Sequence, residues 1–146
     1  MTGGRAQHDV AVLGAGSWGT ALAIHLARRG HRTVLWARSS EHVAALVADR
    51  CNRRYLPDAA FPDGLSVEGD LGCAVDRAGV LLLAVPSHAL SDLCGRLKPL
   101  IERDVRIIWA TKGLEQGSCH LPHQVVEETL GARPMAALSG PTFARE

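Results

Sequence analysis

The sequence predicts an α/β protein in which a doubly wound, mostly parallel sheet carries helices on both faces. Short apolar runs alternate with segments of helical periodicity along the whole chain, and the connections between them are short. The first apolar run also passes directly into a glycine-rich turn that opens a helix. The 146 residues suffice for one domain with one core, so residues 1–146 are predicted to form a single unit.

Short segments that are apolar or rich in β-forming residues are predicted to be strands. They are residues 10–13, 32–37, 65–67, 79–85, 105–110 and 135–138. Runs that are apolar at successive positions are typical of parallel strands, which are buried on both faces. The run 79–85 is the most apolar of the set, so we expect it at the centre of the sheet, ending at Pro86.

Helical periodicity and turn residues predict the remaining elements. A first helix over residues 17–29 should end at Gly30, and the next should be capped by Ser39 or Ser40. Further helices are predicted over 70–77, over 88–102 with a kink at Pro99, and from 121 to the stop at Gly131. Residues 51–64 are rich in Pro, Asp and Asn, which predicts an irregular loop.

Composition argues against several classes of partner. The formal net charge is +1, which gives no sign of a nucleic acid or membrane surface as partner. No apolar run approaches the ~20 residues that a membrane span needs, and the absence of an apolar leader predicts a cytoplasmic protein. Cys119, His120 and His123 lack further ligands at suitable spacing, so no metal site is predicted.

The segment 14–19 reads GAGSWG and matches the pattern G-x-G-x-x-G. It follows a strand and opens a helix within a unit of about thirty residues, the context in which this pattern indicates a dinucleotide-binding Rossmann fold. Gly14 would allow the tight turn, Gly16 the approach of a pyrophosphate, and Gly19 close packing of helix on strand. Ser17 and Trp18 lie at the helix start, where free N–H groups hold phosphate charge.

The second strand bears on the choice between NADP and NAD. An NAD-preferring site usually carries an acidic residue there, whereas this sequence has Arg38 and Ser39 with no acid before Glu41. An arginine makes charge-assisted hydrogen bonds to a 2′-phosphate, which favours NADP. The alternative is that Arg38 is a solvated surface residue and that the site accepts NAD as well.

Five segments together resemble bacterial NAD(P)-dependent glycerol-3-phosphate dehydrogenase. They are GAGSWGTALA (14–23), NRRYLP (52–57), VPSH (85–88), WATKGLE (109–115) and LSGPTFARE (138–146). The resemblance implies reduction of dihydroxyacetone phosphate to sn-glycerol 3-phosphate by hydride transfer from NAD(P)H, which feeds phospholipid synthesis.

The resemblance also implies roles for residues that match the family motifs. With the glycine pattern, the expected cofactor-binding residues are Gly14, Gly16, Ser17, Trp18, Gly19, Arg38, Tyr55, Pro86, Lys112 and Ala144. Lys112, Gly140 and Thr142 match substrate contacts. Lys112 follows a buried strand at the edge where ligands should lie, and an ammonium there could hold a phosphorylated substrate and polarise its carbonyl.

The resemblance further implies a helical carboxy-terminal domain that supplies the proton-transferring lysine. This sequence stops at Glu146, within the last motif, so we expect a cofactor-binding fragment with little or no activity alone, from an enzyme that could be a homodimer. Two alternatives stay open. One is another NADP-dependent dehydrogenase, such as a ketopantoate reductase-like or opine-type enzyme, and the other is a non-catalytic nucleotide-binding module.

Overall fold

The computed structural model describes residues 9–76, 78–101 and 104–139. Its strands are β1 Val10–Leu13, β2 Thr33–Trp36, β3 Cys51–Asn52, β4 Leu56–Ala60, β5 Leu65–Glu68, β6 Val80–Leu83, β7 Arg106–Trp109 and β8 Met135–Ala137. Six of them form one sheet in the order β5-β2-β1-β6-β7-β8, and every neighbouring pair is parallel. The predicted fold class is confirmed, and β6 lies in the interior of the sheet as expected.

Apart from the end of the fourth, the helices begin and end close to the predicted signals. They are α1 Ser17–Arg28, α2 Ser40–Asp49, α3 Leu71–Val75, α4 Ser87–Leu97 and α5 Pro122–Leu130. Gly30 has φ +93° just after α1, and Gly131 has φ +78° directly after α5, conformations that glycine adopts without steric cost. Of the two candidate caps for α2, Ser39 is the one whose hydroxyl accepts from a backbone N–H, that of His42, at 3.3 Å.

Alternation along the strands divides the core into two halves. Ala11 and Leu13 of β1 face the half that contains side chains of α3, α4 and α5. Val10 and Val12 face the half that contains side chains of α1 and α2. Successive side chains of a strand point to opposite faces, so a wholly apolar strand serves both halves. The sheet therefore has helices on each face.

The prediction of an irregular loop over residues 51–64 is wrong. β3 and β4 pair there as an antiparallel hairpin with a register irregularity next to Asn52. The strand signal is weak because Pro57 and Asp58 are disfavoured in strands and β4 has no clean alternation of buried and exposed residues. Hydrogen bonds from the side chain of Asn52 to Ala15 and Thr20 hold this hairpin in place. Residue periodicity does not reveal contacts of this kind.

The predicted helix over 88–102, kinked at Pro99, also needs correction. α4 begins at Ser87 and ends at Leu97, and Lys98–Leu100 form a separate turn of 3₁₀ helix. Proline has no N–H to donate, so residue 99 makes no helical hydrogen bond, although Lys98 before it keeps an α conformation. Here Pro99 marks the end of α4, where the prediction had placed a kink within a longer helix.

Among the residues that the structure describes, no helix is both long and apolar enough to cross a membrane.

Thiol reactivity tests the packing of α4. Cys94 is fully buried between α4 and the sheet, and burial, with a smaller effect of the Glu115 carboxylate, raises its pKa to about 12. Cys119 is exposed. Because only the thiolate reacts, we expect iodoacetamide at neutral pH to modify Cys119 in the native protein and Cys94 only after unfolding, as followed by peptide mass spectrometry. Equal rates at the two thiols would contradict this packing.

Candidate functional site

A groove of about 410 Å³ lies at the carboxyl ends of β1, β2 and β6. In open parallel sheets this edge is where ligands bind. Its walls come from the residues after each strand, from α4 and from the hairpin: Gly14, Ala15, Gly16, Trp36, Ala37, Arg38, Ser39, His42, Arg54, Tyr55, Ala84, Val85, Pro86, Ala89, Asp92, Leu93 and Arg96. Five predicted cofactor residues, Gly14, Gly16, Arg38, Tyr55 and Pro86, thus line one cavity.

The glycine turn is packed so closely that side chains are excluded at two positions. Gly14 has φ +122°, and a Cβ there would overlap the carbonyl oxygen of Ala84. A Cβ on Gly19 would overlap the carbonyl oxygen of Gly14. Gly16 differs, because an added Cβ would meet no heavy atom within 4 Å. Gly14 and Gly19 therefore serve internal packing, whereas Gly16 leaves open space beside the groove.

The start of α1 has features that suit an anionic ligand. Gly16 is its N-cap and offers no side-chain acceptor, and the first turn has no acidic residue. The first N–H groups of a helix have no partners within the helix and carry partial positive charge. In contrast, Ser39 caps α2 and Asp70 caps α3, whereas α4, with Pro86 as its N-cap, has no side-chain cap either. Ser17 and Trp18, predicted to touch the cofactor, are both exposed at this end of α1.

The N-termini of α3 and α1 also differ in the charge that the chain supplies to them. The Asp70 carboxylate accepts from the backbone N–H of Cys73 at 2.8 Å, and this hydrogen bond holds the pKa of Asp70 below its ordinary value. The N-terminus of α3 is therefore already supplied with an anion from the chain itself. The N-terminus of α1 has no such group among the described residues, so a phosphate could take that place.

Positive charge predominates along the groove. Arg38, Arg54 and Arg96 line it, with Asp92 as the one carboxylate. Arg96 lies over the ring of Trp36, with its guanidinium carbon 5.2 Å from the ring centroid. No hydrogen bond or ion pair joins Arg38 to another described residue, so its guanidinium is available to a ligand. The groove suits an elongated ligand that carries several phosphate groups.

The hairpin brings Tyr55 and Arg54 to the edge of the groove. The Arg54 guanidinium lies 5.1 Å from the centroid of the Tyr55 ring, and that ring meets His42 edge to face at 5.7 Å. Arg53 and Arg54 are neighbours in the sequence. The structure separates them, because Arg53 makes an ion pair with Asp49 at 2.9 Å while Arg54 lines the groove.

Lys112 lies in a second cavity, of about 450 Å³, beyond the end of β7. The side chain of Lys112 is exposed, and Ser139 and His123 line the same cavity. The neighbouring Thr111 donates its hydroxyl to the carbonyl of Val85 at 2.8 Å, which joins this loop to the wall of the first groove. Lys112 therefore lies at the same edge of the sheet as the groove but not in it.

Three predicted site residues, Gly140, Thr142 and Ala144, lie outside the described residues. Asn52 and His42 were not predicted as site residues, although Asn52 belongs to the motif NRRYLP. Both side chains contact the carbonyl oxygen of Ala15 in the glycine turn. The available signal was the place of Asn52 in the NRRYLP motif, but its partners Ala15 and Thr20 are 37 and 32 residues away in the chain.

Comparison with known proteins assigns this chain to a family. The chain matches the family described as NAD-dependent glycerol-3-phosphate dehydrogenase N-terminus over residues 9–146. The chain belongs to this family. The family resemblance predicted from the five motifs is confirmed.

Individual relatives support the same family assignment. Glycerol-3-phosphate dehydrogenase [NAD(P)+] of Yersinia pestis (strain Pestoides F) is 54% identical over 139 residues, which is 94% of this chain and 41% of that protein. The chain thus spans about two fifths of the length of this curated relative. The crystal structure of glycerol-3-phosphate dehydrogenase from Coxiella burnetii matches with a TM-score of 0.88 and 47% identity, over 92% of this chain and 41% of that one.

A more distant neighbour shares only the fold. A ketopantoate reductase from Ralstonia eutropha matches with a TM-score of 0.64 and 24% identity, over 88% of this chain and 40% of that one. Architectures of this kind host many activities, so this likeness gives no information about the substrate.

Two glycine-to-alanine substitutions test the packing of the turn. Gly19→Ala puts a Cβ against the carbonyl of Gly14, so we expect the free energy of unfolding to fall by at least about 2 kcal/mol. Gly95→Ala, in α4, adds a Cβ in open space and should stabilise the helix by about 0.5–1 kcal/mol. Urea unfolding measures both. A neutral Gly19→Ala would show that the turn can move apart.

Proposed function

We propose that this chain forms the cofactor-binding part of an NAD(P)-dependent glycerol-3-phosphate dehydrogenase. The reaction is reduction of dihydroxyacetone phosphate to sn-glycerol 3-phosphate, and bound NAD(P)H supplies the hydride. The observation that carries the proposal is the uncapped start of α1 beside a groove lined by arginines, in a member of this family. A cytoplasmic homodimer that feeds phospholipid synthesis belongs to the same proposal for the longer protein.

The described residues suggest a division of labour along the groove. The N–H groups at Ser17 and Trp18, with the space beside Gly16, would receive the pyrophosphate. Pro86 and Tyr55, which both line the groove, would border the nucleoside parts. Gly16, Pro86 and Tyr55 line the groove, whereas Ser17 and Trp18 are exposed at the start of α1 but are not among the lining residues.

We further propose that Arg38 selects NADP over NAD. Arg38 lies two residues beyond β2, the position from which Rossmann folds contact the adenosine ribose. Arg54 approaches the same groove from the hairpin and adds a second guanidinium. With Arg96, three guanidinium groups line the cavity, and they favour a ligand with an additional phosphate, because a phosphate accepts several charge-assisted hydrogen bonds at once.

Cofactor titrations of arginine variants test this preference. Removal of a charge-assisted hydrogen bond to the 2′-phosphate should weaken NADPH binding by about tenfold or more in Arg38→Ala, and to a similar degree in Arg54→Ala. Binding of NADH should change by less than about threefold, because NADH lacks that phosphate. Nicotinamide fluorescence gives both dissociation constants.

Arg53→Ala is the matched control for these titrations. Arg53 is next to Arg54 but is paired with Asp49 and lies outside the groove, so neither cofactor should bind differently. If Arg38→Ala weakens NADPH and NADH equally, Arg38 has no role in selecting the 2′-phosphate. If the unmodified chain binds neither cofactor, the proposed function of this chain is wrong.

On the substrate side we propose that Lys112 contacts both the nicotinamide end of the cofactor and the substrate. An ammonium group at this edge can attract the phosphate of dihydroxyacetone phosphate and stabilise negative charge on the carbonyl oxygen during reduction. Gly140 and Thr142 as substrate contacts, and Ala144 as a cofactor contact, complete the proposal on the strength of the family resemblance.

Amine acylation followed by mass spectrometry tests the placement of Lys112. Saturating NADPH should slow acylation of Lys112, because the nicotinamide end would cover it, and should leave Lys98 unaffected. Lys98 is the other lysine of the chain and lies exposed in the turn after α4, which makes it an internal control.

The same measurement addresses the substrate. Dihydroxyacetone phosphate added to the NADPH complex should slow acylation of Lys112 further, whereas dihydroxyacetone, which lacks the phosphate, should have no effect. Equal protection of both lysines, or none at Lys112, would contradict a substrate-side role for this residue.

A further inference from the structure

Two side chains converge on one backbone carbonyl within the glycine turn. The side-chain amide of Asn52 donates to the oxygen of Ala15 at 3.0 Å, and Nε2 of His42 lies 3.2 Å from the same oxygen. A carbonyl oxygen only accepts hydrogen bonds, so the His42 ring carries its proton on Nε2 in this arrangement. The Ala15 carbonyl is therefore held from two elements, β3 and α2.

Asn52 makes three hydrogen bonds and is completely buried. Besides the bond to Ala15, its amide donates to the hydroxyl of Thr20 on α1 at 2.8 Å. Its side-chain oxygen accepts from the backbone N–H of Tyr55 at 3.3 Å. With donors and acceptor all engaged, the amide can adopt only one orientation, and it joins the glycine turn, α1 and the hairpin that borders the groove.

The geometry of the peptide unit links these contacts to the groove. The Ala15–Gly16 peptide is planar and trans, so its N–H points away from its carbonyl oxygen. Since the oxygen is turned toward Asn52 and His42, the N–H of Gly16 is directed away from them. This N–H belongs to the N-cap of α1, next to the open space at Gly16.

We propose that Asn52 and His42 are positioning residues for the cofactor pyrophosphate. By fixing the Ala15 carbonyl they set the orientation of the Ala15–Gly16 peptide, and with it the direction in which the first N–H groups of α1 face the groove. The inference rests on the proposed cofactor function. Neither side chain needs to touch the cofactor for this role, because each acts through the backbone of the turn.

Binding of two ligands distinguishes a positioning role from a general effect on the stability of the fold. NADPH contains the pyrophosphate, whereas adenosine 2′-monophosphate keeps the adenine, ribose and 2′-phosphate but lacks it. Asn52→Asp keeps the size of the side chain and replaces the donor to Ala15 by a carboxylate oxygen. We expect NADPH binding to weaken by about tenfold or more, and binding of adenosine 2′-monophosphate to change by less than about threefold.

Thr20→Val is the matched control. It removes the other acceptor of the Asn52 amide and leaves the bond to Ala15 in place. This variant should unfold at lower urea concentration, as a change in the same buried network, while the ratio of the two dissociation constants stays at its original value. Calorimetric titration with each ligand, together with urea unfolding, gives all three quantities.

His42 provides a second test that does not depend on a fully buried site. His42 is only partly buried, so His42→Leu and His42→Gln should both fold. His42→Leu should weaken NADPH selectively, and His42→Gln, whose amide can donate to Ala15, should restore part of that loss. This test decides the question if Asn52→Asp does not fold.

The outcomes distinguish this inference from the function on which it depends. If folded variants lose both ligands equally, or bind NADPH normally, the positioning role is overturned while cofactor binding by the chain stands. If the unmodified chain binds neither ligand, the proposed function fails and the inference with it.

Discussion

The close approach of Gly14 to the backbone of Ala84 is the contact on which the site depends. No side chain separates these two segments, so the ends of β1 and β6 lie side by side. The N–H of Ala84 donates to Leu13 at 2.9 Å, and the N–H of Gly14 donates to Trp36 at 3.1 Å, which continues the ladder of the sheet just beyond the strands. The loops that follow β1, β2 and β6 therefore leave the sheet at the same level. They diverge from there, and the space between them is the groove.

The regular part of the fold follows from the sequence because it depends on local pattern. A run such as 80–83 is apolar at every position, and such a run is stable only between two layers of helices. Gly30, Ser39 and Gly131 each act within a turn of their own helix, so their effects can be predicted from nearby residues. The hairpin over 51–60 could not be predicted in this way, since polar side chains anchor it to distant backbone.

The same distinction applies to the candidate site. The glycine pattern and Arg38 were predicted because their chemistry depends on their place directly after a strand. The separation of Arg53 from Arg54 depends on an ion pair with the preceding helix, and the sequence shows two equivalent arginines. The roles of Asn52 and His42 depend on which carbonyl oxygen they reach. Contacts of that kind are decided by packing of whole elements, after the local structure has formed.

Arg50 lies between α2 and the hairpin. Its position requires both a left-handed backbone conformation and a side chain that reaches several distant groups. Its backbone adopts a left-handed conformation with φ +48°, which glycine would accept more readily. Its guanidinium donates to the carbonyls of Leu65 and Pro62 at 2.8 and 2.9 Å and lies over the ring of Phe61. Glycine would relieve the backbone and lose all three contacts, and lysine would keep the charge without the planar fork. Because other side chains lose these contacts, we expect this exposed position to tolerate as few substitutions as a core residue.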